Sequence, residues 1–247
     1  MVRLALAAAA SLLAAGPAGA VINGQPVPAG DPLARVTVMI STRQGFCSGA
    51  VIGPNLVLTA AHCVDSPEPV AVLTFGPGRQ PIINEVAARQ VHPAYKRADW
   101  QNRRTSIDLA VVRTTRPIGE GTSRADLSGG GVPQPGASIR LAGFGPLSEG
   151  DGRSAGVLRS AALTVTGRPG SYQVRLTGPA GGALGACTGD SGGPVFATEG
   201  GRPVIAGVVS WTTGAGEARC GALTGTVPIA PHRSWIAGAI QSLGGPR

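Results

Sequence analysis

Gly185-Ala186-Cys187-Thr188-Gly189-Asp190-Ser191-Gly192-Gly193-Pro194 is the stretch around which the rest of the chain can be read. It sets one serine between an acid and paired glycines, a composition that weakens any regular element and suits a tight turn. Glycine takes positive φ and lets another backbone approach closely. In such a turn the N–H groups of Gly189 and Ser191 can converge on one point, the geometry that stabilises an oxyanion. A serine hydroxyl is a weak nucleophile near neutral pH, so this reading requires a base and a group to orient it. Both residue types are present, His62 within Leu58-Thr59-Ala60-Ala61-His62-Cys63 and Asp108 within Ser106-Ile107-Asp108-Leu109-Ala110-Val111-Val112.

These three segments, in the order His, Asp, Ser, resemble the trypsin/chymotrypsin family of serine endopeptidases. Other folds carrying the same residues use different orders. The resemblance runs from about Val21 to the C-terminus. It implies an all-β fold of two Greek-key six-stranded β-barrels, with the active site between them and a short C-terminal helix. It further implies a catalytic triad of His62, Asp108 and Ser191 and an oxyanion hole from Gly189 and Ser191. Asp190 is then the partner of a mature N-terminal amine at Val21, not a second base.

Working outward, the 247 residues include 39 glycines and 21 prolines and are 43% hydrophobic. That favours short strands and many turns around a sizeable core and argues against disorder. The formal charge of +8 is almost all arginine, with Lys96 the sole lysine. The arginines are scattered and form no run of the kind that grips nucleic acid, so no nucleic-acid partner is expected.

Residues 1–20 read as a signal peptide. Arg3 supplies the positive start, an apolar stretch follows, and Ala18-Gly19-Ala20 is a small-x-small cleavage site. The apolar run is short of the roughly 20 residues a membrane span needs, so no membrane association is expected after cleavage. The expected location is secreted or periplasmic, where disulfides form. Cleavage after Ala20 would expose Val21-Ile22-Asn23-Gly24, and no pro-segment is expected in between.

Apolar, β-branched runs at 36–40, 49–58 and 107–112 read as strands of a first barrel, about 30–116, with Asp108 at the start of the third run. Residues 117–136 have the Gly/Pro/Ser composition of a connection. Runs at 138–143, 155–165, 172–176, 194–197 and 204–211 read as strands of a second barrel, about 136–230. Trp235, Ile236, Ala239, Ile240 and Leu243 fall on one stripe, giving a helix over about 232–243.

Four cysteines allow three pairings. The resemblance selects Cys47–Cys63 and Cys187–Cys220. The absence of a C-x-x-C spacing argues against zinc, and neither a metal nor an organic cofactor is expected. His92, in Val91-His92-Pro93-Ala94-Tyr95, reads as a surface turn residue and His232 as a helix-start residue.

The resemblance also gives substrate-binding positions. Ser210-Trp211-Thr212 matches the strand that pairs with a substrate backbone, with threonine where the family has glycine. Gly185 takes the place at the pocket floor where trypsin-like enzymes carry aspartate, and Ala186 follows it. This combination implies cleavage after small or medium apolar residues. Glu217, between Trp211 and Cys220, is the alternative source of a pocket carboxylate. Gly143-Phe144-Gly145 replaces a Gly-Trp-Gly. The expected partner is a protein or peptide substrate and the expected state a monomer. A protease-like binding protein without activity, and a hydrolase of other esters, are the competing classes.

Overall fold

The computed structural model describes residues 21–102, 106–167, 170, 172–179 and 182–244. The signal-peptide reading over 1–20 lies outside the described residues. Six strands form the first closed barrel: β2 Thr37–Thr42, β3 Gly45–Gly53, β4 Leu56–Thr59, β5 Ala71–Phe75, β6 Pro81–Val91 and β7 Ala110–Thr114. Six more form the second: β8 Ser138–Gly143, β9 Arg159–Thr166, β10 Val174–Thr177, β11 Pro194–Glu199, β12 Arg202–Thr213 and β13 Leu223–Pro228. The two-residue strand β1, Gln25–Pro26, adds to β9 from outside. Within each barrel the strands lie side by side in the order first, second, third, sixth, fifth, fourth, and every pairing is antiparallel. The barrels are therefore built on one plan, and closure leaves neither with a free edge.

The elements differ from the sequence reading where local chemistry intervenes. Asp31 caps a short helix, α1 Pro32–Val36, by accepting from the Leu33 N–H at 2.9 Å, and Pro32 begins it. Val36 therefore ends a helix instead of opening a strand. The run read over 49–58 is two strands, because the Pro54-Asn55 turn divides β3 from β4. The run read over 107–112 becomes regular strand only at Ala110, which leaves Asp108 in the approach to β7. A helix α2, Arg97–Gln101, follows β6, and α3, Arg233–Ser242, closes the chain after a 3-10 turn at Ala230–His232.

Leu56, Val57, Leu58, Leu109, Val111 and Val112 are almost wholly buried in the first core. The second core gathers Ile139, Leu141, Leu163, Val165, Leu176 and Val209. Each such aliphatic side chain contributes roughly 1.5–3 kcal/mol by leaving water. Val21 is fully buried in this second core, and the Ile22 N–H donates to the Gly185 carbonyl at 3.0 Å. The segment that starts the described chain is thus threaded beside the loop carrying Ser191.

His92 is a correction to the sequence reading. It does begin a turn, with the Tyr95 N–H on its carbonyl at 2.9 Å. Yet it is only 9% exposed, packed edge-on against His232 at 5.2 Å and against Trp235 at 4.7 Å. The C-terminal helix covers it.

Candidate active site

β4 and β7 are paired antiparallel with Thr59 opposite Ala110. The chain leaving β4 and the chain entering β7 therefore emerge at the same end of the barrel. The first turns at once into the 3-10 segment Ala61–Cys63, which carries His62, and the second carries Asp108 two residues before the ladder begins. Asp108 has no solvent exposure, and its carboxylate is saturated with donors. Oδ1 accepts the His62 backbone N–H at 2.9 Å, and Oδ2 accepts from His62 Nδ1 at 2.7 Å and from Ser210 Oγ at 2.6 Å. With Nδ1 donating, Nε2 is left as the acceptor nitrogen of a neutral imidazole. The Ser210 contact comes from β12, whose register shifts between Val209 and Trp211 and re-aims that side chain.

The indole of Trp100, from α2, lies flat on the imidazole of His62, with centroids 4.2 Å apart and the planes 14° from parallel. Sequence reasoning missed this residue, for no apolar period marks the 97–101 segment. It also missed the Ser210–Asp108 bond, treating Ser210 only as part of a substrate-pairing strand.

Ser191 is held against the first barrel. Its carbonyl accepts the Ser48 N–H at 2.7 Å, and Ser48 Oγ donates to the Gly189 carbonyl at 2.8 Å. Gly189 and Gly192 have φ of 98° and 79°, and a Cβ at either would strike Phe46 or Thr59 and the Ser48 carbonyl. Only glycine satisfies both demands. Among the described residues, neither the Gly189 nor the Ser191 N–H has a hydrogen-bond partner, so both donors remain available. No hydrogen bond joins Ser191 Oγ to His62 among these residues, a contact that commonly tightens only when substrate is bound. Both side chains line one cavity of about 630 Å3, with Phe46, Asp65, Arg97 and Thr188 among its walls.

Asp190 is fully buried and accepts the Gly145 N–H on Oδ1 at 2.8 Å and the Cys187 N–H on Oδ2 at 2.9 Å. Burial pushes its carboxyl up to about 7, against the pull of those two donors and of the Arg159 guanidinium. A Cβ at Gly143 or Gly145 would enter the carboxylate, which accounts for the glycines on either side of Phe144.

At the expected pocket, Thr212 Oγ1 lies 2.8 Å from the Ala186 carbonyl and 3.1 Å from the Leu223 carbonyl, spanning the two walls. Thr224 Oγ1 accepts the Ala186 N–H at 2.9 Å. Trp211 covers Gly225 so closely that any Cβ there would enter the indole. Glu217 is exposed. Disulfides join Cys47 to Cys63 and Cys187 to Cys220, with Cα atoms 6.3 and 4.9 Å apart. His62 lies near the sulfurs of Cys47 and Cys63. Those sulfurs are consumed in the first bridge and offer no thiolate to a metal.

The sequence matches the family described as Trypsin over residues 21–236. It is 34% identical to human "Serine protease 56" over 195 residues, which are 70% of this chain but 31% of that protein. It is 30% identical to an "Uncharacterized peptidase" of Corynebacterium glutamicum (strain R), covering 94% of this chain and 77% of the relative. It is also 30% identical to a protein named "Trypsin" from Saccharopolyspora erythraea, covering 78% and 87%. The chain thus spans about a third of the human relative and most of the two bacterial ones.

Proposed function

The chain belongs to the trypsin family, and on that premise we propose that it is a serine endopeptidase whose nucleophile is Ser191, with His62 as its base and Asp108 orienting that base. The observation that carries the reading is the fixed imidazole. His62 is gripped by Asp108 through both its backbone N–H and Nδ1, which leaves Nε2, with Cys63 Sγ 3.7 Å away, as the ring nitrogen available to Ser191 in the cavity the two side chains share. Ser191 Oγ attacks a peptide carbonyl as Nε2 takes its proton. The bond from carbonyl carbon to Oγ forms, and the carbonyl oxygen becomes an oxyanion facing the Gly189 and Ser191 N–H groups. Nε2 then returns the proton to the leaving amine, and water repeats the sequence on the acyl-enzyme. Asp108 stays ionised throughout, stabilising the imidazolium.

Substrate preference follows from Gly185, Ala186 and Thr212. The floor is uncharged, and the Thr212 hydroxyl lies against both walls, which supports cleavage after small or medium apolar side chains such as Ala, Val or Leu. Discrimination should be graded, since one methylene is worth about 1–3 kcal/mol. Two disulfides suit an oxidising compartment, in keeping with export directed by residues 1–20. Removal of those residues would free the Val21 amine to pair with Asp190, and export would thereby switch the enzyme on.

A fluorophosphonate supplies the test of the chemistry. It should label native protein at Ser191 and not the Ser191→Ala variant. Absence of an adduct on folded protein would favour a binding protein without activity. A peptide-library profile tests the pocket. Cleavage after Ala, Val or Leu is expected, widening to Phe in Thr212→Gly, and a preference for Arg or Lys would overturn the pocket assignment.

A further inference from the structure

A second cavity, of about 500 Å3, lies between the barrels and shares no lining residue with the one beside His62. Leu73, Phe75, Phe144 and Leu158 give it apolar walls, and the two phenyl rings stand 5.8 Å apart at 41°. Thr37 and Thr74 also line it. Among the described residues their buried hydroxyls have no hydrogen-bond partner, and Thr37 as a whole is only 5% exposed. An orphaned buried hydroxyl costs free energy that a ligand would return. The rim carries Arg35 and Arg79 against the single acid Glu120. Arg79 holds a left-handed φ of 61°, and its guanidinium donates to the Gly156 carbonyl at 2.7 Å across the inter-barrel seam. Beyond the seam, burial and then Arg79 hold Arg159 below its ordinary pKa, while Asp190 and Asp151 pull it the other way.

The volume falls in the usual range for small-molecule sites, and it combines apolar walls with a few convergent polar groups. We propose that this cavity is a binding site for a small aromatic carboxylic acid. The ring would pack against the Phe75–Phe144 pair, and the carboxylate would accept a hydrogen bond from the Thr37 hydroxyl and face Arg35. The site also touches the machinery around Ser191. The Phe144 N–H donates to Ser48 Oγ at 3.0 Å, that hydroxyl holds the Gly189 carbonyl, and the next N–H, of Gly145, holds Asp190. An occupant pressing on Phe144 therefore acts on the loop that presents the nucleophile.

The test is calorimetric titration of the Ser191→Ala protein, which reads binding independently of turnover. Three probes of one shape are compared: 2-naphthoate, 2-naphthamide and 2-naphthylmethylammonium. Naphthoate should bind with a Kd of roughly 0.1–1 mM, as its size allows. The ammonium analogue should bind about tenfold or more weaker, with the amide between them. Thr37→Val and Arg35→Gln should each weaken naphthoate about three- to tenfold. Because Arg35 is exposed, its variant keeps the test alive should Thr37→Val fail to fold. Equal binding of the three probes, no saturable heat with naphthoate up to about 10 mM, or full affinity in Arg35→Gln would overturn the proposal.

Discussion

Asp190 poses a problem whose size can be estimated. Its carboxyl is wholly buried, and burial raises it from 3.8 to about 7 despite two N–H donors and the field of Arg159. Keeping it ionised at neutral pH without a closer cation therefore costs about 4 kcal/mol. That suffices to shift the loop around Ser191 toward other arrangements by a factor of about 1,000. The Val21 amine, placed on a residue already buried in the second core, is the proposed remedy. The perturbation is to compare a chain beginning at Val21 with one that keeps a methionine before it. Turnover of a peptide anilide with Ala at the cleaved position should fall about 100- to 1,000-fold in the blocked chain. Guanidinium unfolding from pH 4 to 10 gives a second readout. In the blocked chain Asp190 gains a proton on folding between 3.8 and about 7, so its contribution to stability falls as pH rises through that window. In the free chain the amine, ordinarily near pH 8, is raised by its anionic partner. Its contribution is fully present below its unfolded value and is lost as pH rises through the folded one. The stability difference between the chains should therefore peak between about pH 7 and 8 and shrink on either side. Equal turnover with parallel stability curves would refute the reasoning.

Ser191→Ala should lower kcat by several powers of ten, with His62→Ala on top of it adding little, because residues of the proposed triad would act as one unit; additive losses in the double variant would count against the triad. Trp100→Leu removes the indole stacked on His62, and loss of an aromatic face against the imidazolium should cut kcat about three- to tenfold with KM little altered; single-turnover kinetics would check this, and a change confined to KM would assign Trp100 to substrate contact instead. His92 is held down to about 4 by burial and then by His232, and its Nδ1 accepts the Ala94 N–H at 3.1 Å. A depressed value gives stability that is present above 6.5 and lost as pH falls toward 4, worth about 1–2 kcal/mol after allowance for solvent screening. Native protein should accordingly lose that stability over this window and His92→Gln should not, with Trp235 fluorescence following release of α3; identical acid profiles would contradict it.

What the sequence made legible, and what it hid, follows from the range of the interactions involved. β4 and β7 are buried on both faces and announce themselves as apolar runs, so the strands beside His62 and Asp108 could be read, while the meeting of those two side chains rested on the resemblance. β6 escaped because its outward face is exposed along Pro81-Ile82-Ile83 and then alternates irregularly, leaving neither a clean period of two nor a continuous run. The disulfides and the mature-terminus positions rested on resemblance, since four cysteines alone do not choose a pairing. Trp100 and His92 share a different cause. Each acquires its role from a partner far along the chain, the first from His62 and the second from His232 and Trp235, and no local pattern records such a meeting. Ser210 shows the limit most sharply. Regular alternation along β12 assigns each side chain to one face, but the slipped register between Val209 and Trp211 turns the Ser210 hydroxyl toward Asp108. A bulge is a property of two paired strands, and it exists only once β13 has been laid beside β12. The groups that fine-tune the site are thus products of register and packing, while those that define its chemistry stand in contiguous sequence because each needs its own immediate backbone to turn.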